Sequence, residues 1–192
     1  DRRYEFQCIK FAHNVLRVKD EMNSRMALGL GTTFQKHSNF NESTMENKLR
    51  VGIIGCGAIA ESHLDGYQKN GLTPVAFADV SENRASAMAT KAGLGRSFTS
   101  YENLLDSGID AISICTPPNL HREIALAALE RGIHVLCEKP LAGTLDDCLA
   151  IEAAAAQSKS TFMMAFRHRF LPVHQMIRDL IEKEDLGKIV LF

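Results

Sequence analysis

The run Val51-Gly52-Ile53-Ile54-Gly55-Cys56-Gly57-Ala58-Ile59-Ala60 constrains the fold of this chain more than any other stretch. A short apolar, β-type run ends in Gly-x-Gly-x-x-Ala and opens directly into a helical pattern. That is the turn with which a parallel sheet holds a dinucleotide pyrophosphate. Gly55 permits the tight exit from the strand, Gly57 lacks a Cβ and lets a phosphate approach the backbone, and Ala60 is small enough for helix to pack on strand. The helix mouth then offers unpaired N–H donors and roughly half a positive charge to an anion. A plain glycine turn would account for the triplet alone. The strand before it and the helix after it point to a nucleotide site.

From residue 49 onward, strand-like and helix-like segments alternate. The pattern predicts strands at Val51–Ile54, Val75–Ala78, Ser97–Thr99, Ala111–Cys115, Ile133–Cys137 and Thr161–Ala165, with a last one at Lys188–Phe192. Between them lie predicted helices at Ile59–Lys69, from Ser81 to Lys91, Tyr101–Asp106, from Pro118 or Asn119 to Glu130, from Thr144 to Gln157, and Val173–Lys183. Strands this short, β-branched and separated by helices belong in a parallel sheet covered on both faces. The expected fold is therefore α/β, a doubly wound Rossmann-type sheet of order 3-2-1-4-5-6. Its ligand would sit at the carboxyl ends of the strands, where the order reverses between strands one and four. That brings Gly55–Ala58 opposite Thr116–Asn119.

Composition narrows the function classes. A net charge of −1 over 192 residues makes no case for nucleic acid or an acidic membrane surface. No apolar run approaches the roughly 18 residues that span a bilayer. The five cysteines, odd in number and without CxxC spacing, read as free thiols in a reducing, cytoplasmic setting. The seven histidines show no metal-ligand spacing, so no metal is expected. Residues 1–44 carry net +2 against net −3 for the remainder, and 24–44 are polar and aperiodic, although Tyr4 to Val18 is mildly amphipathic. We expect 1–44 to be a leader, disordered or non-native, with Met45 as a natural start; a transit peptide is disfavoured by Asp1, Glu5, Asp20 and Glu21. The dinucleotide domain is expected over 45–170, and a crossover helix and first strand of a second, substrate-binding domain over 171–192.

Four strand ends carry the candidate chemistry. Asp79 follows the second strand, 24 residues past Gly55, near the spacing at which an acid meets the adenosine ribose. Its charge would repel a 2′-phosphate: two unit charges ~4 Å apart at an effective dielectric of ~20 interact by about 4 kcal/mol. After screening, about one to two decades of preference for NAD over NADP remain. Arg84, one turn into the next helix, keeps NADP as the second choice, and a simple helix-start acid is the alternative role for Asp79. Thr116-Pro117-Pro118-Asn119-Leu120-His121 leaves strand four as a stiff ledge, or as an ordinary helix start. Glu138-Lys139-Pro140 leaves strand five, and Lys139 is the best catalytic candidate: an ammonium there polarises a substrate oxygen, and desolvation beside a cationic nicotinamide would lower its pKa toward that of a base. Phe166-Arg167-His168-Arg169-Phe170 follows strand six and reads either as a basic loop or as a surface for an oxygen-rich substrate.

Taken together, these residues resemble the glucose–fructose oxidoreductase / inositol dehydrogenase / MocA family. The resemblance runs from Leu49 to Phe192 and is most specific at Cys115-Thr116-Pro117-Pro118-Asn119-Leu120-His121 and at Val135-Leu136-Cys137-Glu138-Lys139-Pro140-Leu141-Ala142. It implies an NAD(P)-dependent oxidoreductase acting on sugars, polyols or related hydroxy compounds. Carried over, the turn Gly55, Cys56, Gly57, Ala58 and Ile59 holds the pyrophosphate and Asp79 the ribose. Thr116, Pro117, Asn119 and His121 line the nicotinamide side, Glu138 orients the cofactor, Lys139 contacts both cofactor and the reacting hydroxyl, and Arg169 lies near the substrate mouth. The family has a second domain that reads substrate and through which its members associate as homo-oligomers. That domain is essentially missing from these 192 residues, which are therefore expected to turn over little alone and to expose apolar surface after Pro172. A non-catalytic, dinucleotide-sensing module is the alternative reading. A fold binding S-adenosylmethionine is a third, and has no use for Glu138-Lys139-Pro140.

Overall fold

A computed structural model describes residues 8, 10–15, 17, 49–93, 95–183 and 187. Six parallel strands, β1 (Val51–Ile54), β2 (Ala76–Ala78), β3 (Arg96–Phe98), β4 (Ala111–Ile114), β5 (His134–Cys137) and β6 (Phe162–Met164), form one sheet. Their order is β3-β2-β1-β4-β5-β6, the doubly wound arrangement expected from the pattern. The helices are α1 (Ala58–Gln68), α2 (Glu82–Ala92), α3 (Tyr101–Leu105), α4 (His121–Glu130), α5 (Leu145–Gln157) and α6 (Pro172–Glu182). The expected strand at Lys188–Phe192 lies outside the described residues.

Register matters for the site. Phe98, Ala78, Ile54, Ile114, Cys137 and Met164 stand level across the sheet. The next residue of β2, β1, β4 and β5 is therefore Asp79, Gly55, Cys115 and Glu138, one row along the carboxyl edge. Alternation along the strands sends Val51, Ile53, Phe77 and Leu136 to one face and Ile54, Ala76, Ile112, Ile114 and Val135 to the other. The first face packs against α1 and α2 through Ala60, Leu64, Tyr67, Ala85, Met88 and Ala89. The second packs against α3, α4 and α5 through Leu104, Leu105, Ile124, Ala128, Leu129 and Ile151.

Local chemistry explains the helix ends. Ser100 and Thr144 cap α3 and α5, accepting the N–H groups of Asn103 and Asp147. Gly93, at φ +94°, takes the left-handed conformation that closes α2. Pro118–Leu120 form a single 3-10 turn before α4, so that helix starts at His121 rather than at the prolines. α6 has a strongly amphipathic pattern, yet none of its residues is fully buried, and Val173, Met176 and Ile181 are exposed. This is the apolar surface expected after Pro172.

Part of the segment expected to be a leader is described. Residues 8, 10–15 and 17 are helical. Cys8, Phe11, Ala12 and Val15 have no exposed surface and belong to the core cluster of Val51, Ile53, Leu64, Tyr67, Leu136 and Ala165. The spacing of those four residues, i, i+3, i+4 and i+7, makes one apolar stripe, and burial of that stripe outweighs the polar composition around it. These four residues are part of the core. Phe11→Ala is expected to destabilise the protein by about 3–5 kcal/mol, the cost of emptying a buried aromatic site. Urea titration followed by circular dichroism measures this, and an unchanged midpoint would show that the helical stretch adds nothing to the core.

Candidate functional site

The chain leaves β1 through a turn that only glycine can make. Gly55 sits at φ +87°, and a Cβ there would lie 2.7 Å from the carbonyl carbon of Cys115 and 2.8 Å from the nitrogen of Thr116. The exits of β1 and β4 are thus pressed backbone to backbone. Gly57 is the opposite case. It starts α1 in an extended conformation, is exposed, and would have open space around a Cβ. No side chain caps α1, so its first-turn N–H groups point out of the edge of the sheet. Ala58 is exposed beside Gly57, and Ile59 is half-buried. The Cys56 side chain turns inward, and its thiol donates to the Ala78 carbonyl at 3.5 Å. Burial, reinforced by the Asp79 charge, pushes that thiol up to about 12, so it is no nucleophile at neutral pH. The Cys137 thiol, raised to about 12 by burial and by Glu138, is equally inert.

Asp79 ties the turn to the end of β2. Its Oδ2 accepts the Cys56 N–H at 2.9 Å, and its Oδ1 accepts the Ser81 N–H at 2.8 Å. Arg84 donates to the same Oδ1 through Nε and Nη2 at 3.1 and 2.8 Å. Burial acts to raise the Asp79 carboxyl, but these donors, Arg84 foremost, outweigh it and hold the group below its ordinary value. The side chain is thus both the helix-start acid and a neighbour of the glycine turn.

The β4 exit forms the opposite wall. Pro117 and Asn119 are exposed, and Thr116 has a buried hydroxyl oxygen with no hydrogen-bond partner among the described residues. His121 stands elsewhere than expected. Its ring is fully buried, with Nε2 2.9 Å from the Thr116 carbonyl and Nδ1 3.0 and 3.2 Å from the carbonyls of Pro140 and Leu141. The single 3-10 turn before α4 rotates the first helical residue inward. His121 therefore buckles the β4 exit to the β5 exit and offers no open surface to a ligand.

At the β5 exit Glu138 is buried and Lys139 exposed. The Lys139 N–H donates to Glu138 Oε2 at 3.0 Å, and the Lys139–Pro140 peptide is cis. Glu138 Oε1 lies 3.1 Å from Nε2 of His63, a residue that motif reading passed over. His63 Nδ1 meets Ser113 Oγ at 3.1 Å, and the Tyr67 hydroxyl meets the same oxygen at 2.9 Å. Two sequence signals were available: a histidine on the buried stripe of α1, and a serine inside the apolar run of β4, each of which needs a partner when buried. Arg169 lies two strands beyond β4, in a 3-10 turn (Arg167–Phe170) after β6, exposed and stacked 5.2 Å over the Phe166 ring. A groove of about 340 Å³ between α1 and α2 shares only Ala58 with the turn; the cradle itself is an open edge.

The residues present fit a dinucleotide. A Cβ-free approach at Gly57, an uncapped helix mouth, a carboxylate at the β2 end and an orphaned hydroxyl at Thr116 line one crevice where the strand order reverses. Fold and site together define a dinucleotide-binding domain of the Rossmann class. The chain belongs to the Gfo/Idh/MocA family: residues 49–166 match the model of that family, described as an oxidoreductase family with an NAD-binding Rossmann fold.

Among its relatives, D-xylose 1-dehydrogenase (NADP(+)) 2 of Haloferax volcanii is 38% identical over 144 residues, 74% of this chain and 44% of that protein. The 1,5-anhydro-D-fructose reductase of Ensifer adhaerens is 38% identical over 141 residues, 72% of this chain and 42% of that protein. A solved levoglucosan dehydrogenase, in complex with NADH and levoglucosan, superposes with a TM-score of 0.69 at 32% identity, covering 73% of this chain and 41% of that one. The chain thus spans less than half the length of these relatives. No helix among the described residues is long and apolar enough to cross a membrane.

The two glycines should separate by experiment. Gly55→Ala is expected to destabilise the fold by at least about 1–3 kcal/mol, through a strained φ and a backbone clash. Gly57→Val should leave stability within about 0.5 kcal/mol, since nothing lies near the added atoms, while weakening NADH binding at least tenfold. Thermal melts paired with fluorescence titration of NADH check both. Equal NADH affinity in Gly57→Val and wild type would remove the pyrophosphate from this turn.

Proposed function

We propose that this chain is the cofactor-binding part of an NAD-dependent oxidoreductase that acts on sugar- or polyol-like hydroxy compounds. The observation that carries the reading is the level register of the carboxyl edge: Gly55, Asp79 and Glu138 stand in one row on neighbouring strand ends, with Thr116 and Lys139 one residue further on. The turn and the mouth of α1 hold the pyrophosphate through backbone N–H groups. Asp79 accepts hydrogen bonds from the adenosine ribose. Pro117, Asn119 and the Thr116 hydroxyl line the nicotinamide end, with His121 as their brace. The bound nicotinamide supplies a carbon that takes or gives a hydride. Lys139 polarises the substrate oxygen and moves its proton, and Arg169 contributes positive charge toward an oxygen-rich substrate. Relatives named for xylose, anhydrofructose and levoglucosan support the substrate class. The free thiols fit a reducing, cytoplasmic setting.

Cofactor choice follows from charge. Asp79 disfavours a 2′-phosphate, so NADH is expected to bind more tightly than NADPH by about one to two decades. Asp79→Ser should narrow or reverse that ratio, since it also frees Arg84 to meet the phosphate. Parallel titrations with the two reduced cofactors decide it, and tighter NADPH binding by the wild type would overturn the assignment. The catalytic reading is tested by expressing the whole reading frame that contains this sequence with Lys139→Met. Turnover of aldoses and polyols is expected to fall by about 10²–10⁴-fold with NADH affinity unchanged. A sensing module would bind NADH and be indifferent to Lys139.

A further inference from the structure

The buried polar chain from α1 to the β5 exit has no place in the motif-based account. Tyr67, Ser113 and His63 have no exposed surface, and Glu138 has 4%. They come from three elements: Tyr67 and His63 from α1, Ser113 from β4, Glu138 from the end of β5. Hydrogen-bond inventory orders them. The Glu138 carboxylate only accepts, so His63 Nε2 donates to Oε1. With its proton on Nε2, the ring accepts the Ser113 hydroxyl hydrogen at Nδ1. The Ser113 oxygen in turn accepts from the Tyr67 hydroxyl. This tautomer is assigned from the network, and it satisfies all four groups in one direction. The other carboxylate oxygen, Oε2, holds the Lys139 N–H. One carboxylate is thus fixed at both ends, by a helix behind it and by the backbone of the candidate catalytic lysine in front.

We propose that His63, backed by Ser113 and Tyr67, is a positioning residue for the nicotinamide end of the site. It fixes the rotamer of Glu138, and through Glu138 the backbone from which Lys139 projects. The inference rests on the reading that Glu138 orients the cofactor. A carboxylate with so little exposure needs a partner at each oxygen. Without His63 its Oε1 would seek water or a new rotamer, and the Lys139 N–H would lose its acceptor. Asp79 lies across β1 from β4 and holds the Cys56 N–H of the glycine turn, so the adenosine end is anchored apart from this chain and should not register the change.

The experiment compares NADH with ADP-ribose, which lacks the nicotinamide, on His63→Leu, His63→Gln, Ser113→Ala and Glu138→Gln variants of the 192-residue chain. His63→Leu is expected to weaken NADH about ten- to a hundredfold, the consequence of leaving a buried charged acceptor unpaired, while ADP-ribose changes less than about threefold. His63→Gln, whose amide nitrogen reaches the position of Nε2, should recover most of the loss. A His63→Leu variant that weakens both ligands equally makes the network merely structural and overturns the proposal, as does one that leaves NADH untouched while Glu138→Gln weakens it. Should His63→Leu fail to fold, Ser113→Ala carries the test: a selective loss for NADH supports positioning, and no loss rejects it. If Glu138→Gln binds NADH like the wild type, the role of Glu138 in the preceding reading falls, a result distinct from failure at His63.

Discussion

The close approach of Gly55 to the Cys115–Thr116 backbone is the constraint on which the rest of the site depends. Strands β1 and β4 are hydrogen-bonded neighbours, yet their continuing chains run to opposite faces of the sheet, one into α1 and the other into α4. A crevice opens between chains that diverge in this way. Its width is set at the bottom, where the two exits touch. Any side chain at residue 55 would wedge them apart and misalign the N–H groups of α1 with the wall made by Thr116, Pro117 and Asn119. The level register of β1, β2, β4 and β5 then delivers Asp79 and Glu138 to either side of the same crevice without further devices.

Most of the sheet was legible in the residue pattern because its signals are local. Short β-branched runs such as Ile112–Ile114, bounded by Asp110 on one side and Thr116-Pro117-Pro118 on the other, leave little freedom of assignment. The helix starts expected at Ser81 and Thr144 fall within a residue of those observed. What was not legible depends on partners distant in the chain. Cys8, Phe11, Ala12 and Val15 become core only because a sheet more than thirty residues later offers a place for them. His121 looked like a ligand contact by its position after the proline ledge. Its actual neighbours, the carbonyls of Pro140 and Leu141, are on the next strand exit and were invisible to a linear reading. His63 and Ser113 lie 50 residues apart, and neither belongs to a motif.

The two carboxylates of the crevice are handled in opposite ways, and the difference suits their ends. Asp79 meets an exposed guanidinium and two backbone N–H groups at the solvent edge, so its charge is secured by donors that water also reaches. Such a group stays ionised through neutral pH, and its contribution to stability is lost only as the pH falls through its depressed folded value. Glu138 is almost wholly buried, with His63 and the Lys139 N–H among its partners. Its negative charge is felt by the neighbouring thiols: the Cys115 and Cys137 sulfurs are pushed up first by burial and then by Glu138.

The same contrast explains why the network behind Glu138 is built from a helix rather than a loop. His63 and Tyr67 are one turn apart on α1, whose mouth would receive the pyrophosphate in the proposed function. A single rigid rod would then carry the phosphate contacts at its start, and it carries the His63 support for Glu138 along its buried side. Because α1 is held against the sheet by Ala60, Leu64 and Tyr67, the two ends of a bound dinucleotide are referenced to one body, and the distance between them does not depend on loop conformation. The described residues of the N-terminal stretch add to this: the Cys8 thiol sits 3.8 Å from the His63 carbonyl, and Phe11 shares the core cluster of Leu64 and Tyr67. Loosening that packing would act on the cofactor end of the site through α1, without altering any residue that touches the cofactor.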